Sequence, residues 1–233
     1  MAPTATLPPA AVAAIAHDVL HVLAAAHALS ITYGDMKPSN ILLATPLGAD
    51  SATVAARLAD FGCASRASNL AGSGRHTPTT GTPLFLPPEA LLLSKAGPSV
   101  DVYGLGAVLY LALTGRPPLP APRRTPDGRW VQAAGSGARG ALSSSSALTP
   151  ADLLAAYLSD EEVALDGHPA LEPGPAADPA GPAAFLASLL DRDWEARPSA
   201  AAALGHPWLA GVRAARAGPR ADAAAARAAK AKC

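Results

Sequence analysis

Asp35-Met36-Lys37-Pro38-Ser39-Asn40 puts a carboxylate, an ammonium and a carboxamide into one hexapeptide. Such a set can orient a hydroxyl nucleophile, neutralise a phosphate and hold a hard cation through oxygen. For the hexapeptide taken by itself, a polar surface loop is the competing reading. A second short segment, Asp60-Phe61-Gly62, follows at the distance of one hairpin. Between them lie two apolar stretches, Ile41–Leu43 and Val54–Ala59, which read as short strands. The Thr45–Thr53 stretch, with Pro46 and Gly48, reads as the turn that joins them.

The elements that must carry these segments are mostly helical. Val12, Ile15, Val19, Val22, Leu23 and Ala26 recur at helical spacing and predict a helix over 8–29, with Pro8 and Pro9 in a first turn that tolerates them. A loop over Ser30–Asn40 follows. Residues 64–83 are rich in Gly, Ser and Thr and show no period. The best-defined helix is Ser99–Thr114, apolar nearly all round and therefore expected to be buried on most faces. Ser99 is its expected N-cap, Asp101 suits the positive end of the helix dipole, and Gly115 with Pro117 stops it. The stretch from Pro120 to about residue 149 is low in complexity and reads as a mobile insertion. Helical pattern resumes over Pro150–Glu162, over Pro182–Asp191 and over Ser199–Leu204, before His206-Pro207-Trp208-Leu209. Beyond Gly211 the chain is Ala-rich and basic, as expected of a solvated helix or a disordered end.

In this order and spacing the segments resemble the C-terminal lobe of the eukaryotic-type protein kinase superfamily. Gly81-Thr82-Pro83-Leu84-Phe85-Leu86-Pro87-Pro88-Glu89 is similar to the end of its activation segment, and Asp101-Val102-Tyr103-Gly104-Leu105-Gly106 to the start of its central buried helix. Arg197-Pro198-Ser199 and His206-Pro207-Trp208 resemble its final helical region. The resemblance covers Ala10 to about Leu209. It implies a mainly α fold: a kinase-like C-lobe with short β-hairpins around the catalytic loop, over residues 1–210, followed by a tail over 211–233.

The same resemblance implies roles. Asp35 would accept or orient the proton of a substrate hydroxyl, and Lys37 would sit near the transferred phosphate of ATP. Asn40 and Asp60 would hold Mg2+, and Leu42 would form the floor under the adenine ring. Thr82 would bind Asp35 and Lys37 and shape the substrate groove. Lys37, two residues after Asp35, together with Gly81-Thr82-Pro83, points to Ser or Thr rather than Tyr as the acceptor. Glu89 and Arg197 match the family's buried ion pair, and Asp101 the anchor beneath the catalytic loop. Protein substrates and ATP are the implied partners, with a further protein partner on the lobe's surface as another. A non-catalytic pseudokinase or interaction module is the alternative.

The sequence departs from the family pattern in two ways. Tyr33-Gly34 stands where the family usually has His-Arg. Tyr33 can still pack beneath Phe61, but the Arg that usually receives an activation-loop phosphate is gone. Thr77, Thr79 and Thr80 then lose their usual reader, and Arg66 and Arg75 read more simply as solvated charges than as substitutes. In addition, no Gly precedes Gly34, and no Lys or Glu precedes the loop. The glycine-rich loop, strand Lys and helix Glu of an N-terminal lobe are therefore not expected here, and apolar surface above Leu42 should stand exposed.

The remaining features point elsewhere or nowhere. His17 and His21 have the i, i+4 spacing of a metal pair, with His27 on the same helix, but core or surface histidines are the favoured reading. Cys63 is read as an inert small hydrophobe rather than a reactive thiol. Two cysteines, one of them the last residue, make no disulfide framework. A net charge of zero argues against nucleic-acid or membrane-surface binding through bulk electrostatics. The apolar run Val102–Leu113 is shorter than the about 20 residues of a membrane span. A cytoplasmic protein is the expectation.

Overall fold

The structure is a computed structural model and describes residues 6–45, 54–66, 83–93, 97–118, 122–124, 130–132, 163, 165 and 168–217. The expected helix at 150–162, the Gly81-Thr82 pair and Thr77, Thr79, Thr80 and Arg75 lie outside these residues.

Helix α1, Pro9–Ala28, starts on Pro9, whose missing N–H is no loss in a first turn. It is rich in Ala, so neighbouring elements approach it closely. Val12, Val19, Leu20 and Leu23 are fully buried among the described residues. By length and composition α1 could also cross a membrane, a property that the shorter Val102–Leu113 run lacks. Here it serves as a core helix, packed on α3 (Pro98–Thr114), on the short α5 (Ala200–Ala203) and on strand β3 (Ala56–Leu58).

Helix α3 runs through the centre, with Leu105, Leu109 and Leu113 sealed from solvent. Its N-cap is Gly97 rather than the expected Ser99, because Pro98 takes the first helical position and draws the start two residues earlier. At the other end Gly115 adopts φ 70° and returns its N–H to Leu111 O, as anticipated. Two glycines of α3 mark close approaches. A Cβ on Gly104 would lie 2.8 Å from Met36 Cβ, and one on Gly106 2.9 Å from Leu189 Cβ. Through the first, the loop that carries Met36 rests directly on α3. Through the second, α4 (Pro182–Leu189) does.

The strands form two-stranded antiparallel pairs: β1 (Ile31–Thr32) with β4 (Ser65–Arg66), and β2 (Ile41–Leu43) with β3. The β2–β3 register sets Leu42 opposite Arg57. A third pair, β5 (Pro122–Arg124) with β6 (Trp130–Gln132), lies within the stretch read as a mobile insertion. Short helix α2, Pro88–Leu93, carries Glu89. Ser199 caps α5 by accepting the Ala202 N–H. The start of the expected solvated tail forms a helix over 210–217, α6, which buries Val212 in the core.

Candidate active site

The loop between β1 and β2 is held from beneath by one carboxylate. Asp101, almost wholly buried at the start of α3, accepts the backbone N–H of Tyr33 on Oδ2 and that of Gly34 on Oδ1, each at 2.8 Å. His27 Nε2, from the last turn of α1, lies 2.8 Å from the same Oδ2. A charged acceptor for backbone donors is stronger than a neutral one, and removing it would strand two N–H groups. The expected anchor role of Asp101 is therefore visible. His27 completes it, which reading the histidines as simple core or surface residues did not reveal.

Above the anchor, the chemical side chains converge. Lys37 Nζ donates to Asp35 Oδ2 at 2.6 Å. Asn40 Nδ2 donates to Asp35 O at 2.9 Å, with Asp35 Oδ2 at 3.1 Å and the Tyr33 hydroxyl at 2.9 Å. The Asn40 nitrogen is thus turned inward against oxygen acceptors, which leaves its Oδ1 as the atom able to bind a cation. Asp35 is buried, and its Oδ1 has no partner among the described residues. A buried carboxylate oxygen left bare beside an ammonium is suited to accept a hydroxyl proton from a docked substrate. The Asp35 bond, first of all, pushes the Lys37 ammonium pKa up, so Lys37 stays charged.

Tyr33 joins this loop to the hairpin. Its hydroxyl donates to Ala59 O at 2.6 Å and accepts from Asn40, and its ring meets Phe61 edge-on at 5.2 Å. The expected packing beneath Phe61 is observed; the hydroxyl's two bonds are an addition. Burial, above the other influences, pushes the phenol up to about 12.

The β2–β3 ladder then sets the spacing of Asn40 and Asp60. Ala59 N–H donates to Asn40 O at 2.8 Å, so Asp60 begins where Asn40 ends. Asp60 has φ 53°, a left-handed conformation that Asp tolerates better than most residues. Its Oδ1 accepts the Gly62 N–H at 3.1 Å, and the side chain is exposed. Two hard oxygen donors at one hairpin end, Asn40 Oδ1 and Asp60, have the chemistry that suits Mg2+. Leu42 stands 53% exposed and Phe61 46% exposed, the open apolar surface expected above the hairpin. Cys63 is exposed rather than tucked away as a small hydrophobe. Thr82 lies outside the described residues.

Gly34 has a backbone reason of its own. It sits at φ 83°, and a Cβ there would come 3.1 Å from Cys63 O. A side chain at this position would be strained in the conformation the loop adopts.

The expected ion pair is present and bidentate. Arg197 Nη1 bonds Glu89 Oε1, Nη2 bonds Oε2 at 3.0 Å, and Arg197 Nε donates to Asp191 O at 2.6 Å. The guanidinium also lies over the Tyr103 ring, 4.8 Å from its centroid. Both partners are buried, so the pair ties α2, and with it the end of the activation segment, to the C-terminal helices.

Comparison with known proteins agrees with this geometry. Serine/threonine-protein kinase PkaA of Streptomyces coelicolor is 38% identical over 112 residues, covering 48% of this chain and 20% of its own length. Serine/threonine-protein kinase PknL of Mycobacterium tuberculosis is 39% identical over 114 residues, covering 48% of this chain and 26% of its own. The chain thus spans a minor share of these relatives. The crystal structure of the Rad53 kinase domain and SCD2 superposes with a TM-score of 0.55 at 21% identity, over 89% of this chain and 60% of that one. That likeness shows the fold. The family model described as protein kinase domain matches residues 2–209, and the chain belongs to that family.

Proposed function

We propose that this chain is part of a Ser/Thr protein kinase that transfers the γ-phosphoryl group of ATP to protein hydroxyls. The observation that carries the reading is the Asp35–Lys37–Asn40 cluster, with Asp35 buried and its Oδ1 bare. In the transfer, the substrate oxygen forms the new bond to γ-phosphorus as the bond to the bridging oxygen of ADP breaks. The hydroxyl proton passes to Asp35. Lys37 offsets negative charge on the moving phosphoryl group, and Asn40 keeps the Asp35 carboxylate oriented. Asn40 Oδ1 and Asp60 would hold Mg2+, which supplies charge neutralisation to the phosphates when bound. Leu42 would underlie the adenine. With Gly34 in place of Arg, activity would not be switched by a phosphate on the activation segment.

The test is Mg-ATP phosphorylation of protein substrates by the gene's full natural product. Asp35→Asn should lower the rate by a factor of at least about 10². Transfer that is unchanged by Asp35→Asn would overturn the assignment.

A second reading, a non-catalytic interaction module, draws on the exposed apolar pair Leu42 and Phe61. It requires that Mg-ATP give no thermal shift to the full product. The kinase reading requires a Mg-dependent shift that Asp60→Asn removes.

A further inference from the structure

Strand β3 has one edge paired with β2 and one edge that faces away from it. Ala55 O and Ala59 N–H point at β2, bonding Ala44 N–H and Asn40 O, each at 2.8 Å. By the alternation of a strand, Val54 O and Ala56 N–H point to the other side, where a further strand would supply one donor and one acceptor. Two side chains supply them instead. Asp18 Oδ2, from α1, accepts the Ala56 N–H at 3.0 Å. Arg216 Nη2, from α6, donates to Val54 O at 2.6 Å and to the same Asp18 oxygen at 3.0 Å. The remaining Asp18 oxygen lies 3.3 Å from His17 Nδ1.

From these contacts we infer that Asp18 and Arg216 act together as positioning residues. The pair stands in for a third strand and fixes the hairpin that ends in Asp60. A two-stranded hairpin by itself is marginal in water, so support along its open edge adds to its packing on α1 in placing its far end. The rungs run from Val54 and Ala56, through the ladder, to Ala59 N–H on Asn40 O, and Asp60 is the next residue. The region expected to be a solvated tail is thereby joined to the cation end of the site. What Asp60 does there rests on the kinase reading; the bracing of the hairpin does not.

Amide hydrogen exchange on the 233-residue chain tests this. Arg216→Met should speed exchange at Ala56 and Ala59 by about tenfold, the loss expected for one charge-assisted bond, while Leu109 in α3 keeps its protection. Arg216→Lys retains a donor and should stay close to wild type. The charge swap Asp18→Arg with Arg216→Asp is the sharper test. It restores attraction but sets a donor against the Ala56 N–H and an acceptor against Val54 O, so the hairpin should remain loosened. Recovery of protection in the swap would show that the pair works by charge alone and overturn the inference. Wild-type protection at Ala59 in Arg216→Met would overturn it too, since the brace would then stop at Ala56. A Mg-ATP thermal shift on the same variants separates the two readings. Its absence from wild type sinks the role given to Asp60, while the exchange data still decide the brace.

Discussion

The catalytic loop and the hairpin beside it are held by opposite means. The loop rests on buried charge: Asp101 grips its backbone from α3, and the buried Glu89–Arg197 pair ties α2 to the residues after α4. The hairpin offers Leu42, Asp60 and Phe61 to the outside, and its ties are side-chain bonds near the surface. Under the kinase reading, the proton acceptor has to be fixed before a substrate arrives, and buried charge provides that rigidity. Under the same reading, the cation and nucleotide surface has to be reachable, and burial would close it. Stability and chemistry should therefore respond to mutation in different regions.

The largest stability loss is expected below the loop. Arg197→Ala leaves the Glu89 carboxylate buried without its partner and should cost about 3–5 kcal/mol in urea unfolding. Gly104→Ala comes next. Ala favours a helix over Gly by about 1 kcal/mol, but its Cβ would meet Met36 Cβ at 2.8 Å, and overpacking costs about 1–3 kcal/mol. A net loss is expected, and a net gain would show that Met36 and the loop yield easily.

Tyr33→Phe cuts the joint between the two regions. It strands Ala59 O and should cost about 1 kcal/mol, with the amide signals of Ala59 and Asp60 shifting more than those of α1. Leu42→Ser should change stability by less than about 0.5 kcal/mol, because the side chain already faces solvent. Under the kinase reading it should nevertheless weaken ATP binding, seen as a smaller Mg-ATP thermal shift. A large stability loss at Leu42 would erase the contrast between the regions.

A pH effect comes from two histidines outside both regions, His206 and His168. His206 Nδ1 accepts the Trp208 N–H and His168 Nδ1 the Ala170 N–H, so both rings must be neutral at that atom. Burial first, then the charge of Arg213 or Arg116, pushes both pKa values down; Asp178 opposes this at His206. As pH falls below about 6.5, the unfolded histidines take up protons before the folded ones do. Stability should therefore fall with pH in that window, and His206→Asn should flatten the slope. A rise in Tm on acidification would contradict the assignment.

The parts legible in the sequence were those whose signals are local. The apolar period of α1 and the continuous apolar run of α3 placed both helices to within a residue or two, and Gly115 marked the stop of α3 correctly. Ser99 misled because a good capping residue lay next to Pro98, and the proline took precedence. The motif residues Asp35, Lys37 and Asn40 do converge. Contacts between distant elements left no such mark. Nothing near His27 announces that Asp101 will lie against it, and the Ala-rich stretch after Gly211 has a composition that suits solvent as well as a core. Arg216 looked like one basic residue among several until Asp18 and the outer edge of β3 stood opposite it.

Tyr33 has a consequence for the conditions under which this loop keeps its shape. An imidazole in the same place would exchange protons with the medium in the range where cells acidify under stress. The buried phenol, pushed up to about 12, keeps its hydrogen throughout that range and goes on donating to Ala59 O. Its contribution begins to fade only as pH climbs past about 10, where an unfolded tyrosine would ionise first. The hydroxyl joint between loop and hairpin is thus indifferent to acid, and it weakens only in strong base.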